Sequence, residues 1–148
     1  GFGGLMASAA GQITIAAAII LGADQRMLVV RKHGSALFQQ PGGKIDAGET
    51  PEMALRREIA EEIAITLAPS AVAALGTYSA PAANEPGMQV LAHIFSARTT
   101  ETPRAAAEIA ELAWLDLDHP ERMSLAPLLQ RHIVPLARQI AGLSELAS

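Results

Sequence analysis

The chain has 148 residues, 50% of them hydrophobic, and 11 basic against 15 acidic residues give a formal net charge of −4. That length suits one well-packed domain, and a mildly acidic chain without a lysine-arginine block is unsuited to binding a nucleic-acid polymer or an anionic membrane nonspecifically. The absence of cysteine excludes disulfides, zinc thiolates and a thiol nucleophile, and a cytoplasmic location is expected.

Residues 1–5, ahead of Met6, read as an expression-tag remnant, which leaves 6–148 as a single domain; the alanine-rich stretch that follows lacks the basic start of a signal peptide. The apolar run 13–21 is about half of what a membrane-spanning helix requires and reads as a buried strand. Ala23, Asp24 and Gln25 form a turn into a second strand over 27–31, giving an early hairpin. A short extended piece over 37–39 leads to Pro41, Gly42 and Gly43, a turn whose backbone can approach a ligand closely because glycine lacks a Cβ. Thr50 is a good N-cap, Pro51 suits the first helical position and Glu52 complements the helix dipole, so a helix starts at Pro51. Leu55, Ile59 and Ile63 recur every four residues and form its packing face. Strands over 72–78 and 90–97 flank a loop, 79–87, long enough to overhang a site. A further loop over 99–107, a strand over 112–115 and a mainly helical segment over 125–143, interrupted at Pro135, complete the chain.

The chemistry concentrates between Gly43 and Ile65. Six of the fifteen acidic residues (Asp46, Glu49, Glu52, Glu58, Glu61 and Glu62) fall in this stretch, and like charges held that close repel unless a cation sits among them. Glu58, Glu61 and Glu62 stand three and four residues apart and project from adjoining parts of one helix face. Carboxylates, backbone carbonyls of the glycine turn and water form an oxygen-only ligand set, which suits Mg²⁺ or Mn²⁺ and points to phosphate chemistry.

At these residues the chain resembles the Nudix hydrolases, MutT-like members included, whose box runs G-x5-E-x7-R-E-U-x-E-E-x-G-U with U a bulky aliphatic residue. Gly43, Glu49, Arg57, Glu58, Ile59, Glu61, Glu62 and Ile65 stand where that pattern wants them. The departure is Ala64 in place of the usual glycine, which would cost up to roughly 1 kcal/mol if the position has positive φ and removes no metal ligand. Phe38 with Pro41-Gly42-Gly43-Lys44 matches the usual lead-in, and Glu108, Glu111 and Trp114 match a downstream E-x-x-E-x-x-W segment. The resemblance implies an α/β/α sandwich around a mixed β-sheet. It implies Glu58, Glu62 and the Gly42 carbonyl as metal ligands, Glu61 as ligand or general base, and Arg57 paired with Glu49 to fix the loop against the helix.

Glu108 is a second candidate near the metal, and Glu85 on the 79–87 loop a third candidate base. Lys32, Lys44 and Arg31 are candidate phosphate contacts, and Phe38 and Tyr78 candidate stacking partners for a base, with Phe38 and Trp114 equally suited to the core. The four histidines have no metal-like spacing. The implied activity is Mg²⁺-dependent attack of water on a diphosphate linkage in a small-molecule nucleotide, with a nucleoside triphosphate or modified dNTP as the leading substrate. ADP-ribose or nucleotide-sugar hydrolysis, in which a homodimer commonly shapes the pocket, and a noncatalytic nucleotide-sensing domain are the alternatives.

Overall fold

The structure is a computed structural model and describes residues 11–143, so the expected tag remnant lies outside the described residues. In chain order the strands are β1 (Gln12–Ile20), β2 (Met27–Lys32), β3 (Phe38–Gln39), β4 (Gly42–Lys44), β5 (Val72–Pro81), β6 (Gln89–Ala97) and β7 (Ile109–Leu115). Helix α1 (Pro51–Ile63) follows β4, and α2 (Val134–Ile140) lies near the end of the chain.

β1 and β2 are apolar nearly throughout because both of their faces are covered. Successive side chains alternate sides. Ala16, Ala18 and Ile20 of β1 and Leu28 and Val30 of β2 pack with Leu55, Ile59 and Ile63 of α1. Ala17, Ile19, Met27 and Val29 face the opposite way, onto Leu129, Ile133 and Val134 of the C-terminal helical segment. Two helical layers thus enclose the strands in an α/β/α sandwich.

Pairing divides the strands into two sheets. One is mixed, in the order β4-β1-β6-β5, with β1 parallel to β6 from Gln12 opposite Gln89 to Ile20 opposite Ala97. The other is antiparallel, in the order β3-β2-β7. The turn after β1 forms where expected, with the Gly22 N–H donating to the Arg26 carbonyl at 2.7 Å. The early hairpin does not follow from it: no ladder joins β1 to β2, and the pairing is limited to a bridge between Leu21, just past β1, and Met27. Both edges of β1 are taken by β4 and β6 and both edges of β2 by β3 and β7, so the two strands diverge into separate sheets.

α1 starts at Pro51 as expected, and the Thr50 hydroxyl accepts the Met53 N–H at 3.1 Å. It ends at Ala64, which adopts the left-handed conformation (φ 60°, ψ 35°). The carbonyls of Glu62 and Ile63, left without partners by the end of the helix, accept the N–H groups of Ala106 and Arg104, each at 2.9 Å. The loop over 99–107 therefore holds the end of the helix that carries the acidic cluster. Pro135 interrupts the C-terminal helix in a specific way. Having no N–H to donate, it is preceded by a π segment, Leu129–Ile133, in which the Val134 N–H reaches back to the Leu129 carbonyl.

Candidate functional site

Gly42 and Gly43 lie in the short strand β4 rather than in a turn. They are paired to Ala17 and Ala16 of β1. A side chain at Gly42 would overlap the Ala16 carbonyl and the Ala17 backbone, and one at Gly43 would overlap the Glu58 carboxyl group. Glycine is thus required at Gly42 by its close approach to the β1 backbone and its positive φ, whereas a side chain at Gly43 would displace the Glu58 carboxyl group. β4 is the sheet edge, and the Gly42 N–H points away from β1 to Glu62 Oε1 at 3.1 Å.

Glu62 sits on the packing side of α1 and is only 6% exposed. Burial pushes its carboxyl up to about 7, against the opposing pull of the Gly42 N–H and Lys32, while Glu58 and Glu108 push it further up. A buried carboxylate among other carboxylates favours either a proton or a cation.

Arg57 organises the rest of the cluster. Its Nε donates to Glu49 Oε2 at 2.7 Å and its Nη2 to Glu49 Oε1 at 2.9 Å, a bidentate pair that holds the Glu49 carboxyl down at about 2. Its Nη1 donates to Glu58 at 2.9 Å and Glu61 at 3.2 Å, and its Nη2 also to the Lys44 carbonyl at 3.0 Å. One guanidinium therefore ties the loop before α1, the end of β4 and two helix carboxylates together.

An open cleft of about 670 Å³ collects most of the remaining candidates: Glu58, Glu62, Glu85 and Glu108 with Lys32 and Lys44. The 79–87 loop overhangs it as expected, shortened because β5 runs on to Pro81, and Asn84 is bound to the Ser35 hydroxyl at 3.0 Å. The His33 N–H donates to the Glu108 carbonyl at 2.9 Å, which brings that glutamate to the cleft. Glu61 is not among the residues lining the cleft, and its side chain is 54% exposed beside Arg57.

The aromatic candidates do not come to the cleft. Phe38 packs with the α2-side core, while Gln39, its neighbour on β3, faces a smaller recess beside the cleft. Tyr78 lies against His132, ring centroids 5.6 Å apart, on that same side. Trp114 is 41% exposed, so it is not a core residue, and it covers Gly22. Arg31 is engaged by Glu111 at 3.1 Å and the Ser35 carbonyl at 3.0 Å. Gln39 and Gln40 line a smaller recess beside the cleft and Asn84 lines both, none of them a candidate from the sequence. The Gln-Gln pair before Pro41 was their available signal, since polar residues between two strands are usually solvated. A larger recess of about 800 Å³, bounded by Leu37, Met123, Leu125, Val134 and Pro135, lies away from all the carboxylates discussed above.

Among the described residues no three acidic or imidazole side chains converge into a closed metal cluster. An open set fits a hard divalent cation that keeps several waters, and Glu58, Glu62 and the backbone of Gly42 supply oxygens of the right kind. Burial is the main reason that the Glu62 carboxyl is raised, and the neighbouring Glu58 and Glu108 add to it, so a cation placed among them would favour its ionised form.

The NUDIX domain model matches residues 12–137. The chain belongs to the NUDIX family. A relative named 8-oxo-dGTP diphosphatase, from Haemophilus influenzae, is 51% identical over 57 residues, 36% of this chain and 42% of that protein. This chain spans 42%, 66% and 46% of the lengths of three curated bacterial relatives. Among solved Nudix structures, a MutT protein from Methanosarcina mazei has a TM-score of 0.71 at 22% identity, covering 90% of this chain and 98% of that one. The NUDIX domain of Shewanella oneidensis NrtR, complexed with ADP ribose, has a TM-score of 0.70 at 23% identity, covering 90% of each chain. At these identities the two structures establish the Nudix fold, with the box on β4, the loop after it and α1.

Proposed function

We propose that this chain is a Mg²⁺-dependent pyrophosphohydrolase, with Mn²⁺ an accepted substitute. It would cleave the diphosphate linkage of a nucleoside diphosphate joined to another group, with a nucleoside triphosphate or modified dNTP as the leading substrate. The observation that carries this reading is the cleft in which Glu58 and Glu62 face Lys32 and Lys44, because phosphate chemistry needs both a cation site and positive contacts for the anionic substrate. The 8-oxo-dGTP diphosphatase name of the Haemophilus relative, whose similarity covers a stretch of this chain only, supports the choice of substrate class.

Glu58, Glu62 and the Gly42 carbonyl would hold the cation. When bound, it would neutralise the diphosphate oxygens and make water a better nucleophile. Lys32 and Lys44 would bind nonbridging oxygens and orient the phosphates. Glu108, Glu85 and Glu61 are the proton acceptors within this constellation, and the first two already line the cleft. Water attacks phosphorus, the bridging P–O bond breaks, and the water oxygen ends in one phosphate product without a covalent intermediate. Residues 6–148 would act as one domain in the cytoplasm, as a monomer or homodimer.

ADP-ribose is the second candidate substrate, favoured by the ADP ribose complex of the NrtR domain, and a noncatalytic nucleotide-sensing domain is the third reading. Incubation with Mg²⁺ and a panel of dNTPs, 8-oxo-dGTP, ADP-ribose and nucleotide sugars separates the three. Turnover confined to triphosphates, with ¹⁸O from labelled water in one product, is the expected result. Turnover of ADP-ribose alone would transfer the assignment, and binding of nucleotide without turnover of any substrate would favour the sensor.

A further inference from the structure

We propose that Gln40 is a specificity-determining residue that reads the hydrogen-bonding edge of the substrate's nucleobase. This rests on the hydrolase reading above. Gln40 joins β3 to β4 and is only 5% exposed, yet its side-chain carbonyl Oε1 is buried without a hydrogen-bond partner. It lines a recess continuous with the cleft, in which Lys32 and Glu62 take part in both.

A buried amide oxygen left unpaired is destabilising, so a residue needed only to fill this space would be better as leucine or methionine. The amide has a use if the ligand completes it. The recess itself is small, about 90 Å³, so it admits the edge of a base that enters from the 670 Å³ cleft rather than the whole ring, and Ile13, Ile15, Val30 and Val90 give it aliphatic walls. Charged groups gather at the shared end, where the phosphates belong. Glutamine amides pair with base edges through one acceptor and one donor. With no bond to its carbonyl, the Gln40 amide turns about its broad, roughly two-fold terminal torsion at little cost and presents either group to the recess.

A site that hydrogen-bonds one base edge rejects another because the mismatch leaves buried polar groups unpaired, and this discriminates far better than an apolar wall. The test compares wild type with Gln40→Leu on the preferred nucleoside triphosphate, on the triphosphates of the other bases and on an abasic ribose triphosphate. The expected result is a loss of kcat/KM of at least about tenfold for the preferred nucleotide, carried mainly by KM. Selectivity among bases should narrow, the abasic substrate should be nearly unaffected, and Tm should be equal or higher. Equal losses on the nucleotide and its abasic analogue, or unchanged selectivity among bases, would overturn the role. If wild type turns over no nucleotide at all, it is the hydrolase reading that fails. The same comparison made on Kd, by calorimetry with nucleotide and abasic analogue, then decides Gln40 on its own: the same selective loss of affinity supports it, and equal affinities refute it.

Discussion

Glu62 is held where its charge is least welcome, and its ionisation should couple metal binding to pH. Its folded pKa, about 7, is raised above the ordinary value of 4.5, so the protonated form is favoured by folding. Its contribution to the stability of the metal-free protein is therefore fully present below about pH 4.5 and is lost as pH rises through about 7. Metal ligation requires the ionised carboxylate, so Mg²⁺ affinity should run the other way, strengthening about tenfold between pH 6 and pH 8. Calorimetric titration of Mg²⁺ at the two pH values checks this. Glu62→Gln should bind weakly at both, and an affinity independent of pH in wild type would contradict the coupling. Ala64 offers a second residue-level test. Its φ of 60° is a left-handed conformation that favours glycine, so the sequence-based cost of the missing box glycine applies. Ala64→Gly should stabilise the fold by roughly 1 kcal/mol, raising Tm by about 3 °C with unchanged metal affinity. A fall in Tm would mean that the Ala64 side chain makes contacts worth more than its backbone strain.

At the scale of elements, α1 works as a bracket whose position is set from both ends, by Thr50 and the Glu49–Arg57 pair at its start and by the 99–107 loop at its finish. The planar fork of Arg57 engages Glu49 with two bonds and reaches Glu58, Glu61 and Lys44 as well, which a lysine cannot reproduce. Arg57→Lys is expected to lower kcat/KM by about 10- to 100-fold through displacement of the box carboxylates, with a smaller effect on Tm. Wild-type rates in that variant would refute the bracket. Glu49, with its carboxyl lowered to about 2, contributes stability above about pH 4.5 that is lost as pH falls toward 2, so the bracket should loosen only in acid. The start of α1 was legible in the sequence because cap, proline and dipole residues act locally. The β1–β2 hairpin was misread because strand pairing is decided by competition for edges among distant segments. Likewise the strand formed by Gly42 and Gly43 depends on β1 lying beneath it, and two residues of β3 are too few to reveal that Phe38 faces the core and Gln39 the recess beside the cleft.

Across the whole molecule, the sandwich brings to one cleft groups from β2, the β3–β4 segment, α1, the loop after β5 and the start of β7. The box could be read from sequence as a local pattern, Glu108 and Glu85 were singled out through the family resemblance, and Lys32 and Lys44 as cations at a strand end and a turn. Gln40 could not be found that way, since the burial of a single polar side chain is a property of the assembled fold. No helix among the described residues is long and apolar enough to cross a membrane. In the proposed reaction the carboxylates of this cleft hold a divalent cation for hydrolysis of a nucleotide diphosphate linkage. The rate of hydrolysis of the preferred substrate as a function of Mg²⁺ concentration, in wild type and Glu62→Gln, tests it most directly. Saturable activation is expected in wild type, none in EDTA, and in Glu62→Gln a weaker response to Mg²⁺ with a rate lowered by at least about 100-fold. Full wild-type turnover in EDTA, or an unchanged Mg²⁺ response in Glu62→Gln, would contradict it.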